Sequence, residues 1–185
     1  MKTAREKLLS TATRLFYKYG INSVGVDEIV RQSGVTKMTL YKHFRSKDAL
    51  AAAFIEQIFK EWSTWFTGRV DELSKKARTP EERVLAIFDA EKEWFETPNF
   101  RGCPFINTVA ELSDRNHPAR KIAVEFKEKL LEIIRKSLEP LGRYKQELAV
   151  PLLLLVDGAI VRATMTDSSE PAKTARKAAA KLLAN

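Results

Sequence analysis

Apolar residues recur every three or four positions along most of the chain, which is the spacing of a buried helix face. The first such stretch follows Thr3-Ala4-Arg5-Glu6, a capping box in which the threonine and glutamate side chains satisfy each other's backbone amides. Its apolar positions run from Leu8 to Tyr19, and Gly20 follows as a stop signal. The pattern therefore predicts a helix that begins after Thr3 and ends before Gly20.

Three further helices are predicted next. Two short ones run from about Val26 to Ser33 and from Lys37 to Phe44, with a turn at Gly34 and a capping hydroxyl at Thr36. Ser46 caps a long fourth helix. Its apolar face is formed by Leu50, Phe54, Ile58, Trp62 and Trp65.

Five more helices complete the predicted set. The fifth starts at Thr79-Pro80-Glu81-Glu82, which combines a cap, a first-turn proline and first-turn acids, and it breaks at Pro98. The sixth begins at Gly102-Cys103-Pro104 and ends near Asp114, and the seventh begins at Asn116-His117-Pro118 and is stopped by Pro140 and Gly142. The very apolar eighth runs from Arg143 to about Thr166, and the ninth begins at Ser169-Glu170-Pro171. The expected fold is all-α, with about nine helices and no strand.

Composition supports this fold class. Ala, Leu, Glu, Lys and Arg together make up about half of the 185 residues, which is typical of helix-rich chains. Seven glycines and seven prolines are too few for the turns of a β-sandwich or barrel. An apolar share of 44% is enough to bury a core, so an all-β fold and wholesale disorder are both excluded.

The positive charge is concentrated at the N-terminus. Residues 1–47 hold ten basic and three acidic residues, whereas residues 48–185 hold 22 basic and 21 acidic ones. Such a division fits either a solvated basic face or a module that binds a polyanion and is joined to a neutral domain. We therefore expect two domains, residues 1–47 and residues 48–185.

The two short helices around Gly34 have the helix-turn-helix plan, in which the second helix lies in the major groove of DNA. The outward side of that second helix is rich in hydrogen-bond donors and carries no acid. These side chains suit phosphates and base edges. Lys47 supports this interpretation, because a cation in the first turn of a helix opposes the helix dipole unless a phosphate binds there.

Residues 33–44 and 46–50, SGVTKMTLYKHF and SKDAL, resemble the signature of TetR/AcrR-type repressors. Ala12, Phe16, Gly20 and Ile29 also fall where the first two helices of that family place them, and residues 101–107, RGCPFIN, resemble a segment of some subfamilies. The resemblance implies a ligand-responsive transcriptional regulator. The simplest case is a repressor that binds double-stranded operator DNA and is released from it by a small molecule. The candidate DNA-contacting residues are Thr36, Lys37, Met38, Thr39, Tyr41, Lys42, His43 and Lys47.

Two residues depart from the family pattern. Met38 stands where a small residue or proline is usual, and Gly25 stands where a Ser or Thr cap is usual. Met38 offers an apolar contact to a thymine methyl group, so the operator sequence of relatives does not transfer to this chain.

The resemblance further implies that residues 48–185 bind a small-molecule effector and form a homodimer. Aromatic residues concentrate between positions 62 and 105, where core packing and ligand contact are both open interpretations. Asn107 and Glu111 lie one turn apart, and Asp157 interrupts the apolar eighth helix, where it either orients a ligand or pairs with Arg162. The candidate ligand-binding residues are Trp62, Phe66, Phe88, Trp94, Phe95, Cys103, Asn107, Glu111 and Asp157.

Other classes of function remain as alternatives. An enzyme would have to use Cys103 with His117, because His43 is the only other histidine and no catalytic signature is present; we expect no enzyme and no cofactor. A sequence-nonspecific DNA binder and a redox sensor at Cys103 are the other two alternatives. A single cysteine excludes an internal disulfide and a structural zinc site, so no metal is expected. The apolar run from Leu148 to Val156 is too short for a membrane span, and a cytoplasmic protein is expected.

Overall fold

The computed structural model describes residues 2–184, and this range is mostly helical with no strand. The α-helices are α1 (Ala4–Tyr19), α2 (Val26–Ser33), α3 (Lys37–His43), α4 (Lys47–Ser74), α5 (Pro80–Phe95), α6 (Pro104–Glu111), α7 (Pro118–Leu138), α8 (Ala149–Thr166) and α9 (Glu170–Ala184). Two 3-10 helices, Glu139–Leu141 and Arg143–Leu148, connect α7 to α8. The all-α prediction is confirmed.

Helix starts follow the predicted capping residues. The hydroxyl of Thr3 accepts from the backbone amide of Glu6, whose carboxylate accepts in turn from the amide of Thr3 at 2.8 Å. Thr36 and Thr79 accept in the same way at the starts of α3 and α5. These contacts satisfy amides that have no partner inside the helix, which is why each helix begins where it does.

Two predicted helices differ in extent. The sixth ends at Glu111 rather than near Asp114, and the guanidinium of Arg120 donates to the carbonyls of Val109 and Leu112 at its end. Residues 143–148 form a 3-10 helix instead of the first turns of α8. Pro151 accounts for the second difference, because its ring and missing N–H fit an α-helix only within the first turn, so α8 begins at Ala149.

The chain forms two compact units. Unit 1 comprises residues 2–61 and 104–126, and unit 2 comprises residues 62–103 and 127–184. Unit 1 thus holds α1, α2, α3, the first half of α4, all of α6 and the start of α7. The functional division expected at residues 47 and 48 stays a prediction.

The core of unit 1 fixes the orientation of α3. Leu8 and Ala12 of α1, Ile29 of α2 and Leu40 of α3 are fully buried. The ring of Phe16 packs on that of Phe54 with centroids 5.6 Å apart. Because Leu40 is the buried residue of α3, the opposite side of this short helix is turned to solvent.

In unit 2, α5 packs against α8 and α9. Residues 84–88 of α5 are all buried, and small residues of α9, Ala172, Ala175 and Ala179, allow close packing. The segment Arg143–Thr166 is long and apolar enough to cross a membrane by length and composition alone, a test that the shorter run considered above does not meet. About a third of its apolar window is buried, and exposed apolar side chains on α8 account for much of the rest.

Candidate functional site

The helix-turn-helix is formed by α2 and α3. Gly34 ends α2 with φ 66° and ψ 22°, a left-handed conformation that favours glycine, and the chain turns there into α3. The predicted DNA-contacting residues of α3 share its outward side and are exposed, with the exception of Thr39. Met38 is 82% exposed and Tyr41 44%. Thr39 is half-buried, and its hydroxyl lies 2.9 Å from that of Thr36.

Lys37 has a partner that the sequence pattern did not indicate. Its ammonium lies 2.8 Å from the carboxylate of Asp27 on α2, and both side chains are more than half exposed. This hydrogen bond raises the pKa of Lys37, which therefore carries its full charge at neutral pH. Exposed pairs of this kind contribute little to stability, so Lys37 can exchange Asp27 for a base edge or phosphate at small cost.

Lys47 lies in the first turn of α4 and is half-buried. Its ammonium donates to the backbone carbonyl of Asn22 at 3.5 Å, the long limit of a hydrogen bond. Lys47 thus lies beside the turn between α1 and α2. Its neighbour Asp48 lies 3.3 Å from Nε2 of His117, whose Nδ1 accepts from the amide of Ala119 in the first turn of α7.

The turn between α1 and α2 is held by Glu111 at the end of α6. The carboxylate of Glu111 accepts from the backbone amide of Asn22 at 3.0 Å, and its carbonyl accepts from the Asn22 side chain at 2.8 Å. Gly20 has φ 88°, and a Cβ built there would lie 2.8 Å from both carboxylate oxygens of Glu111. These contacts indicate that Glu111 positions the helix-turn-helix. They favour this role rather than the ligand contact predicted for Glu111.

Most of the predicted ligand-binding aromatics lie together in unit 2. Trp62 stacks on Phe66 with ring centroids 4.2 Å apart, and Trp94 meets Trp62 edge-on at 6.0 Å. Phe95 continues this cluster next to Trp94. Phe100, which was not among the candidate residues, packs on both Trp94 and Phe95. Phe88 is 1% exposed and belongs to the core of the same unit.

The polar candidates are distributed between the two units. Asn107, half-buried, and Glu111 lie on α6 in unit 1, whereas Cys103 and Asp157 belong to unit 2. Asp157 pairs with Lys127 of α7 at 2.6 Å, so the alternative pairing with Arg162 is wrong. Arg162 is exposed and lines a groove between α8 and α9.

Lys127 also changes the surroundings of Cys103. The sequence neighbourhood offers only Arg101 as a nearby cation, whereas the fold brings Lys127 close enough to interact electrostatically with the buried thiol. Burial alone would lower the pKa of Lys127, but its interactions with Cys103 and Asp157 outweigh this effect and raise that pKa. The fold therefore brings a cation near the thiol of Cys103, namely Lys127, which lies 24 positions further along the chain.

Glu91 is a buried acid that the sequence analysis did not single out. It is 0% exposed on α5, and its burial raises the pKa of its carboxyl well above the usual value. It lies near Lys127 and Asp157 in unit 2. The available signal was its spacing, because Glu91 lies three residues after Phe88 and four before Phe95 on the buried side of α5.

Comparisons with known proteins agree with this geometry. The sequence model described as bacterial regulatory proteins, tetR family, matches residues 8–54, and the one described as the tetracyclin repressor-like C-terminal domain matches residues 80–179. The chain belongs to the TetR family. The first match covers the helix-turn-helix, and the second covers most of unit 2 together with α6.

Individual relatives span nearly the full chain. A TetR-family transcriptional regulator from Streptomyces coelicolor is 31% identical, with a TM-score of 0.86 over 98% of this chain and 88% of that one. The regulator LmrA of Bacillus subtilis is 27% identical over 91% of this chain and 90% of its own length. The repressor NemR of Escherichia coli K12 is 25% identical over 92% of this chain and 89% of its own length. These relatives are named as regulators of transcription, which confirms that the chain is a regulator and not an enzyme.

Proposed function

We propose that this TetR-family regulator is a repressor that binds a near-palindromic operator as a homodimer and leaves it when a small, mainly apolar or aromatic effector binds. The observation that carries the proposal is the outward side of α3, which presents exposed donors and no acid. TetR-family regulators bind operator DNA, act as dimers and bind small-molecule effectors, and the features of this chain support each of these three properties.

DNA recognition is assigned to α3. Lys37 and Thr39, in its first turn, are proposed to contact base edges, and Met38 is exposed enough to touch a thymine methyl group. Tyr41, Lys42 and His43 lie further along and, with Lys47 and Thr36, are proposed to reach the phosphate backbone. A two-fold dimer then reads two half-sites about 34 Å apart, or a multiple of that distance.

The homodimer is assigned to the exposed apolar side of α8 together with α9. Leu154 is 66% exposed and Met165 71%, and a groove of about 540 Å³ between these helices is lined mostly by apolar and small residues such as Ala178. A second copy of the same surface would cover these side chains. This burial also explains the apolar character of α8 without a membrane, in keeping with a cytoplasmic regulator.

The effector site is assigned to unit 2. The ring cluster of Trp62, Phe66, Trp94 and Phe95, and the buried Phe88 of α5 in the same unit, supply apolar and aromatic surface for such an effector. Effector binding shifts the protein between DNA-binding and released forms only to the extent that the effector prefers one of them. Asp157 and Cys103 are the polar residues of unit 2 that remain candidates for orienting the effector.

The test is DNA binding of matched lysine variants. Lys37→Ala should weaken operator binding by about 1–3 kcal/mol with a much smaller loss on random DNA. Lys47→Ala should weaken both to a similar degree and lower the salt slope by about one per half-site. Lys76→Ala, which removes the same charge from an exposed position of unit 2, is the control. If all three variants bind operator alike at 0.15 M salt, the DNA interface is not on α3 and the proposal fails.

A further inference from the structure

Unit 2 contains a buried carboxyl group that lacks a partner. Glu91 is fully buried, and neither of its side-chain oxygens accepts or donates a hydrogen bond within the part of the chain that the structure describes. Buried polar groups in folded proteins are nearly always hydrogen-bonded, because an unpaired one loses its contacts with water and gains none in return. Glu91 is therefore expected to destabilise the free protein, and a ligand that pairs with it would remove this cost.

The charges around Glu91 indicate which kind of group is missing. Lys127 and Asp157 interact electrostatically with Glu91, but the Lys127 ammonium already lies 2.6 Å from the Asp157 carboxylate. When Glu91 is ionised, these three side chains together carry one net negative charge. The partner that would complete the cluster is a cation that donates hydrogen bonds.

The cluster has an aromatic side and a side that reaches solvent. Phe88 lies three residues before Glu91 and Trp94 three residues after it, on the same side of α5. Trp94 belongs to the ring cluster that contains Trp62. Lys127 and Asp157 interact electrostatically with Glu91, and their side chains are 18% and 32% exposed, so the cluster reaches solvent through this ion pair.

We propose that Glu91 recognises the effector, and that the effector is an aromatic amine whose ammonium group binds between Glu91 and Asp157 in place of the Lys127 ammonium. The inference rests on the proposed function, because it specifies the chemistry of the effector site in unit 2. The long side chain of Lys127 lies at the partly exposed edge and can release its ammonium to water when another cation takes its place. The aromatic part of the ligand then packs among the rings near Trp94, where a cation also interacts favourably with the ring faces.

Binding of such a cation is coupled to a proton. Because burial raises the pKa of Glu91 in the free protein, an arriving ammonium displaces the carboxyl proton wherever Glu91 is protonated before binding, and that proton is released to the solvent. Affinity should therefore rise by about tenfold per pH unit as long as Glu91 is protonated in the free protein and the amine stays charged. Lys127, Asp157 and Cys103 are the other titratable groups of the cluster.

The first experiment uses three probes with the same aromatic body. We expect 3-phenylpropylamine to bind to the full-length protein and 3-phenylpropanol and 3-phenylpropionate to bind at least tenfold more weakly, as measured by titration calorimetry and by quenching of tryptophan fluorescence. Glu91→Gln keeps the shape of the side chain and should abolish the preference for the amine. Glu81→Gln, which removes an acid from the first turn of the same helix, is the matched control and should retain the preference.

The second experiment measures proton release and competition by Lys127. Calorimetry in buffers of different ionisation enthalpy should detect proton release when the amine binds, and none with Glu91→Gln. Lys127→Met removes the competing cation and should tighten amine binding severalfold. Tighter binding of the alcohol or the carboxylate than of the amine, or amine binding unchanged by Glu91→Gln, would overturn the proposal. These measurements need no DNA. A failure of the unmodified protein to bind operator DNA would therefore contradict the proposed function, whereas only the ligand measurements can contradict the role of Glu91.

Discussion

Gly20→Ala is expected to be among the most damaging small substitutions in unit 1. Gly20 has φ 88° and ψ 154°, a backbone conformation that is essentially restricted to glycine and costs other residues about 1–3 kcal/mol. A Cβ there would also lie 2.8 Å from both carboxylate oxygens of Glu111. Glu111 must then move, and its 3.0 Å hydrogen bond from the amide of Asn22 is lost.

The expected loss follows from these two contributions. The hydrogen bond to the Asn22 amide lies at an exposed site, so its loss adds only about 1 kcal/mol to the backbone cost. The total is about 2–4 kcal/mol of unfolding free energy, which corresponds to a lowering of Tm on the order of 10 °C for a chain of this length. Gly34→Ala is the control, because Gly34 is also left-handed but a Cβ there meets nothing within 4 Å; we expect a loss of about 1 kcal/mol.

The assay is urea unfolding followed by circular dichroism, at one protein concentration because a dimer's stability depends on it. The steric part is isolated by making Gly20→Ala in a Glu111→Ala background, where its cost should fall by about 1 kcal/mol and only the backbone part remains. If Gly20→Ala costs no more than Gly34→Ala, or if its cost is the same in both backgrounds, the contact between the α1–α2 turn and α6 is not a stabilising one.

Two further predictions concern DNA and the dimer. Asp27→Asn removes an exposed acid next to Lys37, so both operator and random DNA should be bound a few-fold more tightly, about 0.5–1 kcal/mol, in a gel-shift assay; unchanged affinity would place this pair away from DNA. Leu154→Glu puts a charge into the apolar surface assigned to the dimer and should weaken association at least 100-fold, about 3 kcal/mol or more, by sedimentation equilibrium. Val124→Glu, at an exposed apolar position of α7, should leave association intact, and equal effects of the two would contradict the assignment.

Local signals in the sequence were sufficient to predict most helix boundaries. The bounds of α2 agree with the prediction at both ends, because Gly34 marks the turn and Thr36 caps the next helix within a few residues. The start of α5 agrees for the same reason, since Thr79 accepts from the amide of Glu82. Capping hydroxyls, a first-turn proline and a left-handed glycine all act within one helical turn, and the sequence displays them directly.

The parts of the candidate sites that the sequence did not indicate depend on contacts between distant residues. Glu111 and Asn22 are 89 positions apart, and Lys127 and Asp157 are 30 apart. Helical periodicity tells which side of a helix is buried, but it does not tell which residue of another helix lies opposite. Asp157 was therefore given Arg162 as a possible partner on its own helix, and the sequence could not supply Lys127 in its place.

Burial changes the pKa and the pairing of an acidic residue, as a comparison of two glutamates of this chain makes clear. Glu28 is exposed enough to be paired by Arg31 and Gln32, whose hydrogen bonds lower its pKa to about 2, and it behaves as an ordinary surface acid. Glu91 has no such partners, and its burial moves its pKa in the opposite direction. Composition alone does not distinguish these two acids. An exposed ion pair can exchange partners at little cost in free energy. A buried unpaired carboxyl group stays destabilising until a ligand supplies its missing partner. The specificity of unit 2 is therefore to be sought at Glu91 and its two charged neighbours, and not in the aromatic residues alone.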